Sequence, residues 1–232
     1  MIRQKHISIC ILSLAISMLL LGTTTASAQF KKKKKAKIEI PDTVPLLNGF
    51  QVSADLLGAA MMHIGSYGQY EGALRVNLRD RYFPIVELGY GKADHTDDGT
   101  LLRYQTKAPY GRVGIDFNLM KDKHDIYRLL AGVRYGFTSF KYDLHHPGMK
   151  DPVWLDEVEF NAEGIQCNYH WMEVVFGVDA TIWGPLHIGW SVRYRNRIAH
   201  NAGDLDNVWY VPGYGKSGKS VFGGTFNIII DI

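Results

Sequence analysis

Eight stretches between Phe50 and Ile232 alternate apolar and polar side chains, and the connections between them are short and long by turns. Period two puts successive side chains on opposite faces of a strand. Phe50, Val52, Ala54 and Leu56 share one face of the first stretch, and Gln51, Ser53 and Asp55 share the other. The same division recurs around Tyr70 to Asn77, Val86 to Gly91, Arg112 to Leu119, Leu129 to Phe137, Met172 to Ile182, Leu186 to Arg195 and Phe222 to Ile232. No helical periodicity competes with these eight stretches.

Connections near Asp80, from Met120 to Asp125 and at Gly184-Pro185 are short enough for tight turns. Those spanning 61 to 68, about 92 to 109, about 143 to 170 and about 197 to 218 are long and rich in Gly, Asp, His and Pro. Membrane barrels pair short periplasmic turns with longer extracellular loops, so an even strand count places both ends of the barrel in the periplasm.

Volume decides which face points inward. An eight-stranded barrel is only wide enough inside for side chains to fill, and more than thirty apolar residues, many aromatic, cannot fit there. The polar face offers Gly89, Gly114, Gly132, Gly177, Gly189 and Gly223 among charged residues. Acidic Asp55, Glu71, Glu87, Asp116, Glu173 and Asp179 are matched by basic Arg75, Arg112, Arg134, Arg193 and Arg195. A buried ion costs several kcal/mol unless it is paired. The lumen is therefore expected to be ion-paired and closed, with Arg75, Arg112 and Arg134 set against Glu71, Glu87, Asp116 and Glu173. Phe50, Tyr70, Tyr90, Tyr135, Phe137, Trp190, Tyr194 and Phe222 are candidates for interfacial girdles.

The expected fold class is all-β, an eight-stranded antiparallel transmembrane β-barrel of the outer-membrane type. A soluble barrel with an apolar, ligand-binding interior is the alternative.

Residues 1–28 read as a signal peptide: Arg3 and Lys5, an apolar run from Ile7 to Leu21, then Ala26-Ser27-Ala28. Residues 29–47 form a tail with lysines at 31 to 35 and 37 and prolines at 41 and 45, a flexible periplasmic tether that could meet an envelope protein or polymer. Residues 48–232 make up the barrel domain. The formal charge of +3 comes from the leader and tail, because from Val44 onward 18 basic residues face 21 acidic ones. No basic surface backs a nucleic-acid reading. Cys167 is the lone cysteine after the leader, so an internal disulfide is impossible there. Outer-membrane lipid is the expected partner of a monomeric barrel.

The leader, the lysine-proline tail, Glu87-Leu88-Gly89-Tyr90 and the run Tyr110-Gly111-Arg112-Val113-Gly114-Ile115-Asp116-Phe117-Asn118 carry a family likeness. The chain resembles the small outer-membrane barrels of the OmpA and OmpX kind, and more specifically an uncharacterised barrel family of Gram-negative envelopes. The resemblance implies no catalytic residues. Such barrels often end in Phe, whereas this chain ends in Ile232.

Chemistry in the loops is thin. His95, His145, His146 and His170 lack metal-ligand spacing, and Asp204, Asp206 and Asn207 lack the register of a calcium loop. Neither a metal nor a cofactor is expected. A lipid A or phospholipid acyl hydrolase or transferase would need a serine activated by histidine. His187 and Ser191 share a strand face but lie ~13 Å apart, at the wrong end for outer-leaflet chemistry. A porin would need more strands. The longest connection displays Trp154 and Phe160 among acids, a pattern suited to surface interaction.

Overall fold

The computed structural model describes residues 45–123, 125–150, 157–203 and 205–232. The signal segment, the Lys31 to Lys37 run and Trp154 lie outside the described residues.

In chain order the elements are β1 (Phe50–Asp55), α1 (Leu56–Ile64), β2 (Tyr67–Val76), β3 (Tyr82–Thr96), β4 (Arg103–Asn118) and β5 (Tyr127–Lys150). There follow β6 (Glu157–Trp183), β7 (Leu186–Asn201), β8 (Tyr210–Val211), β9 (Gly215–Lys216) and β10 (Ser220–Asp231). Eight strands close a barrel in the order β1-β10-β7-β6-β5-β4-β3-β2, every pair antiparallel, and β8 and β9 form a separate two-stranded hairpin.

The short turns are tight. Between β2 and β3, Arg79 and Asp80 both take positive φ, 56° and 53°, the left-handed geometry of a turn that matches strand twist. Asn77 stabilises this unusual choice for non-glycine residues: its Oδ1 accepts from the Asp80 N–H at 2.8 Å, and its Nδ2 donates to Asp80 Oδ1 at 2.6 Å. Gly184, at φ 52°, turns the chain before Pro185.

The outward face carries an apolar belt. On β3 it runs from Tyr82 through Val86 and Leu88 to Tyr90, all exposed, about 26 Å along the strand at ~3.3 Å per residue, close to the ~25 Å band of a membrane barrel. Phe50, Tyr82, Phe117, Tyr127 and Trp183 ring its short-turn edge, and Tyr70, Tyr90, Tyr135, Phe137, Tyr194 and Phe222 ring the other. Two of the second ring meet histidines, Tyr70 Oη with His63 Nε2 at 3.0 Å and Tyr135 Oη with His170 Nδ1 at 2.7 Å. Trp190, 62% exposed, sits between the rings. This is an eight-stranded antiparallel membrane-spanning barrel of the outer-membrane type.

Several expectations need correction. The long connections at 92 to 109 and 143 to 170 are mostly strand: only residues 97–102 separate β3 from β4, and β5 and β6 run to 24 and 27 residues. A membrane-spanning strand needs ~9–11 residues, so this wall projects far beyond the belt. Beyond Phe137, β5 faces outward with Ser139, Lys141 and Asp143 and inward with Phe140, Tyr142 and Leu144. The apolar side has changed from outside to inside without a change of alternation, as expected where the strand leaves lipid for water.

A helix also appears where none was expected. Leu56 begins α1 instead of continuing β1, because Asp55 caps it, accepting from the Leu57 and Gly58 N–H groups at 3.1 Å each. Leu, Ala and Met favour the helix, and the Gly65 N–H closes it on the Met61 carbonyl at 2.9 Å. Consequently β1 stops opposite Asn227 on β10 and Gly72 on β2. Residues 220–226 and 67–71 have no strand between them, and α1 packs into that seam against β2 and β10. Gly68 permits the approach, since a Cβ there would overlap the Met62 backbone.

Candidate functional site

The mid-barrel interior holds the charged cluster, carried on inward-facing positions of β2 to β7. Arg112 on β4 is fully buried and lies at its centre. Its Nη1 is 2.5 Å from Glu71 Oε2 and 2.9 Å from Glu87 Oε2, and its Nε is 2.8 Å from Glu173 Oε1. Glu87 also meets Arg134 Nε and Arg193 Nη1, both at 2.8 Å. Arg193 reaches Glu71 at 3.2 Å, and Arg195 reaches Glu173 at 3.3 Å. Toward the short-turn end, Asp116 lies 2.9 Å from Arg134 and 3.3 Å from Arg75, which also meets Asp179 at 2.7 Å. Tyr110 Oη donates to Glu71 at 2.6 Å and Trp171 Nε1 donates to Glu173 at 2.6 Å.

Five carboxylates and five guanidiniums thus share one space, because register puts their strands side by side: Glu87 is opposite Arg112, and Arg134 is opposite Glu173. Arg75 takes Asp116, one of the expected acids, but its shorter contact is to Asp179, which is not among them. Asp55 is a correction. It is buried and inward-facing, but its oxygens cap α1 and accept the Phe226 N–H at 3.2 Å, and it joins no ion pair among the described residues. What open space remains among Arg75, Asp116, Asp179 and Arg193 amounts to about 20 Å³, room for about one water molecule.

Below the cluster, Phe83, Ile85, Leu130, Val175 and Ile229 also point inward and are buried. Alternation hid them, because each adjoins an outward apolar residue, as in Leu129-Leu130 and Val174-Val175.

Above the cluster a plug occupies the mouth. The connection after β7 turns inward and forms the β8–β9 hairpin around Pro212, Gly213 and Tyr214. Gly213 at φ 80° and Gly215 at φ 111° take left-handed backbone that glycine adopts readily. Tyr210, Val211 and Tyr214 are buried among Tyr104, Tyr110, Phe140, Tyr142, Tyr169 and Trp171. Backbone carbonyls of the plug accept from the cluster: Gly213 from Arg112 Nη2 at 2.5 Å and Tyr214 from Arg195 Nη1 at 2.9 Å. Tyr104 Oη donates to the Tyr210 carbonyl at 2.7 Å. The long connection expected over about 197 to 218 thus contains this inserted hairpin, with Val-Pro-Gly-Tyr-Gly as its turn.

Other candidate residues have other partners. Phe160 lies within β6 opposite His146 and packs, half-buried, on the mouth cluster, so it is no free loop anchor. His187 bonds Thr181 at 2.8 Å and stands 2.9 Å from Asp231, whereas Ser191 bonds Thr225 at 2.7 Å. His95 stacks on Trp209 at 4.1 Å, and His145 pairs with Asn161. Among the described residues no three His, Cys, Asp or Glu converge as metal ligands. Cys167 is buried in the mouth cluster, and burial pushes its thiol up to about 11.

Comparison with solved structures finds small membrane barrels. The crystal structure of Neisserial surface protein A is 12% identical with a TM-score of 0.43, covering 80% of this chain and 99% of that one. Acinetobacter baumannii CarO2 is 13% identical with a TM-score of 0.40, covering 81% and 99%. The Yersinia pestis attachment invasion locus protein Ail, solved with the heparin analogue sucrose octasulfate, is 9% identical with a TM-score of 0.36, covering 79% and 93%. No curated protein matches. The model of the family described as "Domain of unknown function (DUF6048)" matches residues 7–231, and the chain belongs to that family.

Proposed function

We propose that this protein is a closed, non-enzymatic barrel of the outer membrane, with a structural or surface-interaction role exercised at its long-hairpin end. The observation that carries this reading is the double seal of the lumen. A charge-matched cluster leaves about 20 Å³ of open space, and an inserted hairpin is bonded to it from above. Such an interior passes no solute. Its stability follows from the same arrangement, since each of the ten cluster charges meets opposite charge at hydrogen-bonding distance. The projecting β5–β6 hairpin and the half-buried Trp209 give the long-hairpin end a surface for a partner.

In this reading the short turns and both termini face the periplasm, residues 1–28 are removed on export, and the Lys31 to Lys37 tail is the tether to an envelope polymer or protein. The barrel acts as a monomer.

A planar-bilayer recording of the refolded barrel tests this directly, together with membrane fractionation. The expected trace is flat, and it stays flat when residues 208–217 are replaced by a short Gly-Ser link, because the ion cluster still seals the lumen. Stepwise conductance from the intact protein would contradict the closed lumen, and turnover of a phospholipid or lipid A substrate would contradict the non-enzymatic reading.

A further inference from the structure

Just beyond the upper aromatic ring, three lysines stand in a row on neighbouring strands. Lys92 on β3 lies directly opposite Lys107 on β4. The β4–β5 ladder is interrupted between Thr106 and Tyr110, but its register on both sides places Lys107 opposite Lys141 on β5. All three are exposed, on the outward face. Like charges directly opposite on adjacent strands repel, with side chains only ~5 Å apart at Cβ. No ion pair relieves these lysines among the described residues. The nearby acids bond other groups first: Asp94 accepts from Arg103 at 2.9 and 2.8 Å and from Gln105 at 2.9 Å, with Lys92 only a more distant charge beside it, and Asp143 accepts the Gly164 N–H at 2.7 Å.

The ladder interruption is itself built. Pro109 has no N–H to give, and two threonine hydroxyls span the gap, Thr106 donating to the Lys141 carbonyl at 2.7 Å and Thr138 to the Pro109 carbonyl at 2.9 Å. The strands part there around an open cleft of about 740 Å³, whose lining includes the three lysines, Ala93, Ala108 and Phe140 and, at its edge, the already bonded carboxylates of Asp94 and Asp143. Tyr90 is two residues below Lys92, so the row begins where hydrocarbon ends and headgroups begin.

We propose that Lys92, Lys107 and Lys141 form a binding site for the phosphate of an anionic lipid headgroup in the leaflet at the long-hairpin end. Three ammonium groups that make no ion pair among the described residues supply the charge that a phosphate monoester or diester needs. The cleft between them admits the headgroup against a partly apolar floor, and a bound phosphate removes the repulsion within the row. The inference rests on the membrane placement proposed above and adds the class of lipid and the residues that hold it.

The test is the temperature at which the folded, fast-migrating gel form is lost. The refolded barrel is placed in phosphatidylcholine vesicles, or in the same vesicles with phosphatidylglycerol added. Anionic lipid should raise the midpoint by ~3 °C or more, the shift that preferential binding to the folded form produces. K92Q/K107Q/K141Q should abolish that rise while folding normally in phosphatidylcholine. K219Q, which removes a lysine from a different strand connection, should keep it. Inorganic phosphate at the same concentration should give no comparable rise. An equal shift in the triple variant, an equal shift with free phosphate, or no lipid dependence in the intact protein would overturn the site. Failure of the intact protein to insert into either vesicle would instead overturn the membrane placement.

Discussion

Arg112 donates through Nη2 to the carbonyl oxygen of Gly213 at 2.5 Å, joining the charged mid-barrel to a hairpin 101 residues further along the chain. The same guanidinium touches Glu71, Glu87 and Glu173. One fully buried side chain on β4 therefore ties β2, β3, β6 and the plug to its own strand. The plug is seated by its backbone here, and Gly213 is what lets it approach: a Cβ at this position would overlap the Tyr110 ring.

Replacing Arg112 with alanine leaves three buried carboxylates short of a cation and the Gly213 carbonyl without its donor. Breaking a buried pair in this way costs about 3–5 kcal/mol. The heat-modifiable gel transition of Arg112→Ala should fall well below that of the intact barrel, and Arg134→Ala should also lower it by removing the partner of Glu87 and Asp116. Arg112→Lys should lie between, since lysine keeps the charge without the planar fork. Unchanged transitions would count against a paired interior.

The helix in the wall gives a second test. Valine at Gly68 would overlap the Met62 backbone, whereas at Gly72 the nearest atom to a new Cβ is the Ser53 carbonyl at 3.8 Å. Gly68→Val should lower the unfolding midpoint by an amount equivalent to about 1–3 kcal/mol of overpacking, and Gly72→Val should change it little. Guanidinium titration followed by intrinsic tryptophan fluorescence measures both, and equal effects would argue that α1 is not seated on β2.

The eight membrane-spanning strands were legible because each keeps one apolar stripe over four or more alternations. Their extensions were not, because the stripe changes parity within a single strand. On β4, Tyr104, Ala108 and Tyr110 point inward while Val113, Ile115 and Phe117 point outward; on β6, Cys167, Tyr169 and Trp171 give way to Met172, Val174 and Phe176. A search for one continuous apolar face stops at that switch and labels the remainder loop. The charged lumen could be read residue by residue, but its pairings depend on cross-strand register, which placed Arg75 with Asp179. Asp55 looked like a lumen acid because its role as a helix cap becomes apparent only when β1 is known to end there. The plug was hidden for a further reason: Tyr210, Val211 and Tyr214 sit in a short segment with no periodicity of its own, and only the aromatic mouth formed by distant strands gives them a place to be buried.

Cys167 provides a probe of that mouth. It is buried, and its thiol is pushed up to about 11 by loss of hydration, so at pH 7.5 almost none is thiolate. The refolded chain from Gln29 onward should resist maleimide for hours and take up one equivalent after unfolding in hot detergent. Rapid labelling of the folded form would show the plug and mouth to be open.

The polarity of β5 reverses along its length, and nitroxide scanning of that strand in reconstituted vesicles measures the reversal directly. Labels at Leu129, Ala131, Val133, Tyr135 and Phe137 should be relaxed by dissolved oxygen, and labels at Ser139, Lys141 and Asp143 by a water-soluble nickel chelate. The crossover should fall just beyond Phe137. Preferential access of the nickel reagent to the 129–137 positions, or no crossover along the strand, would contradict a barrel wall that passes from hydrocarbon into water at that level.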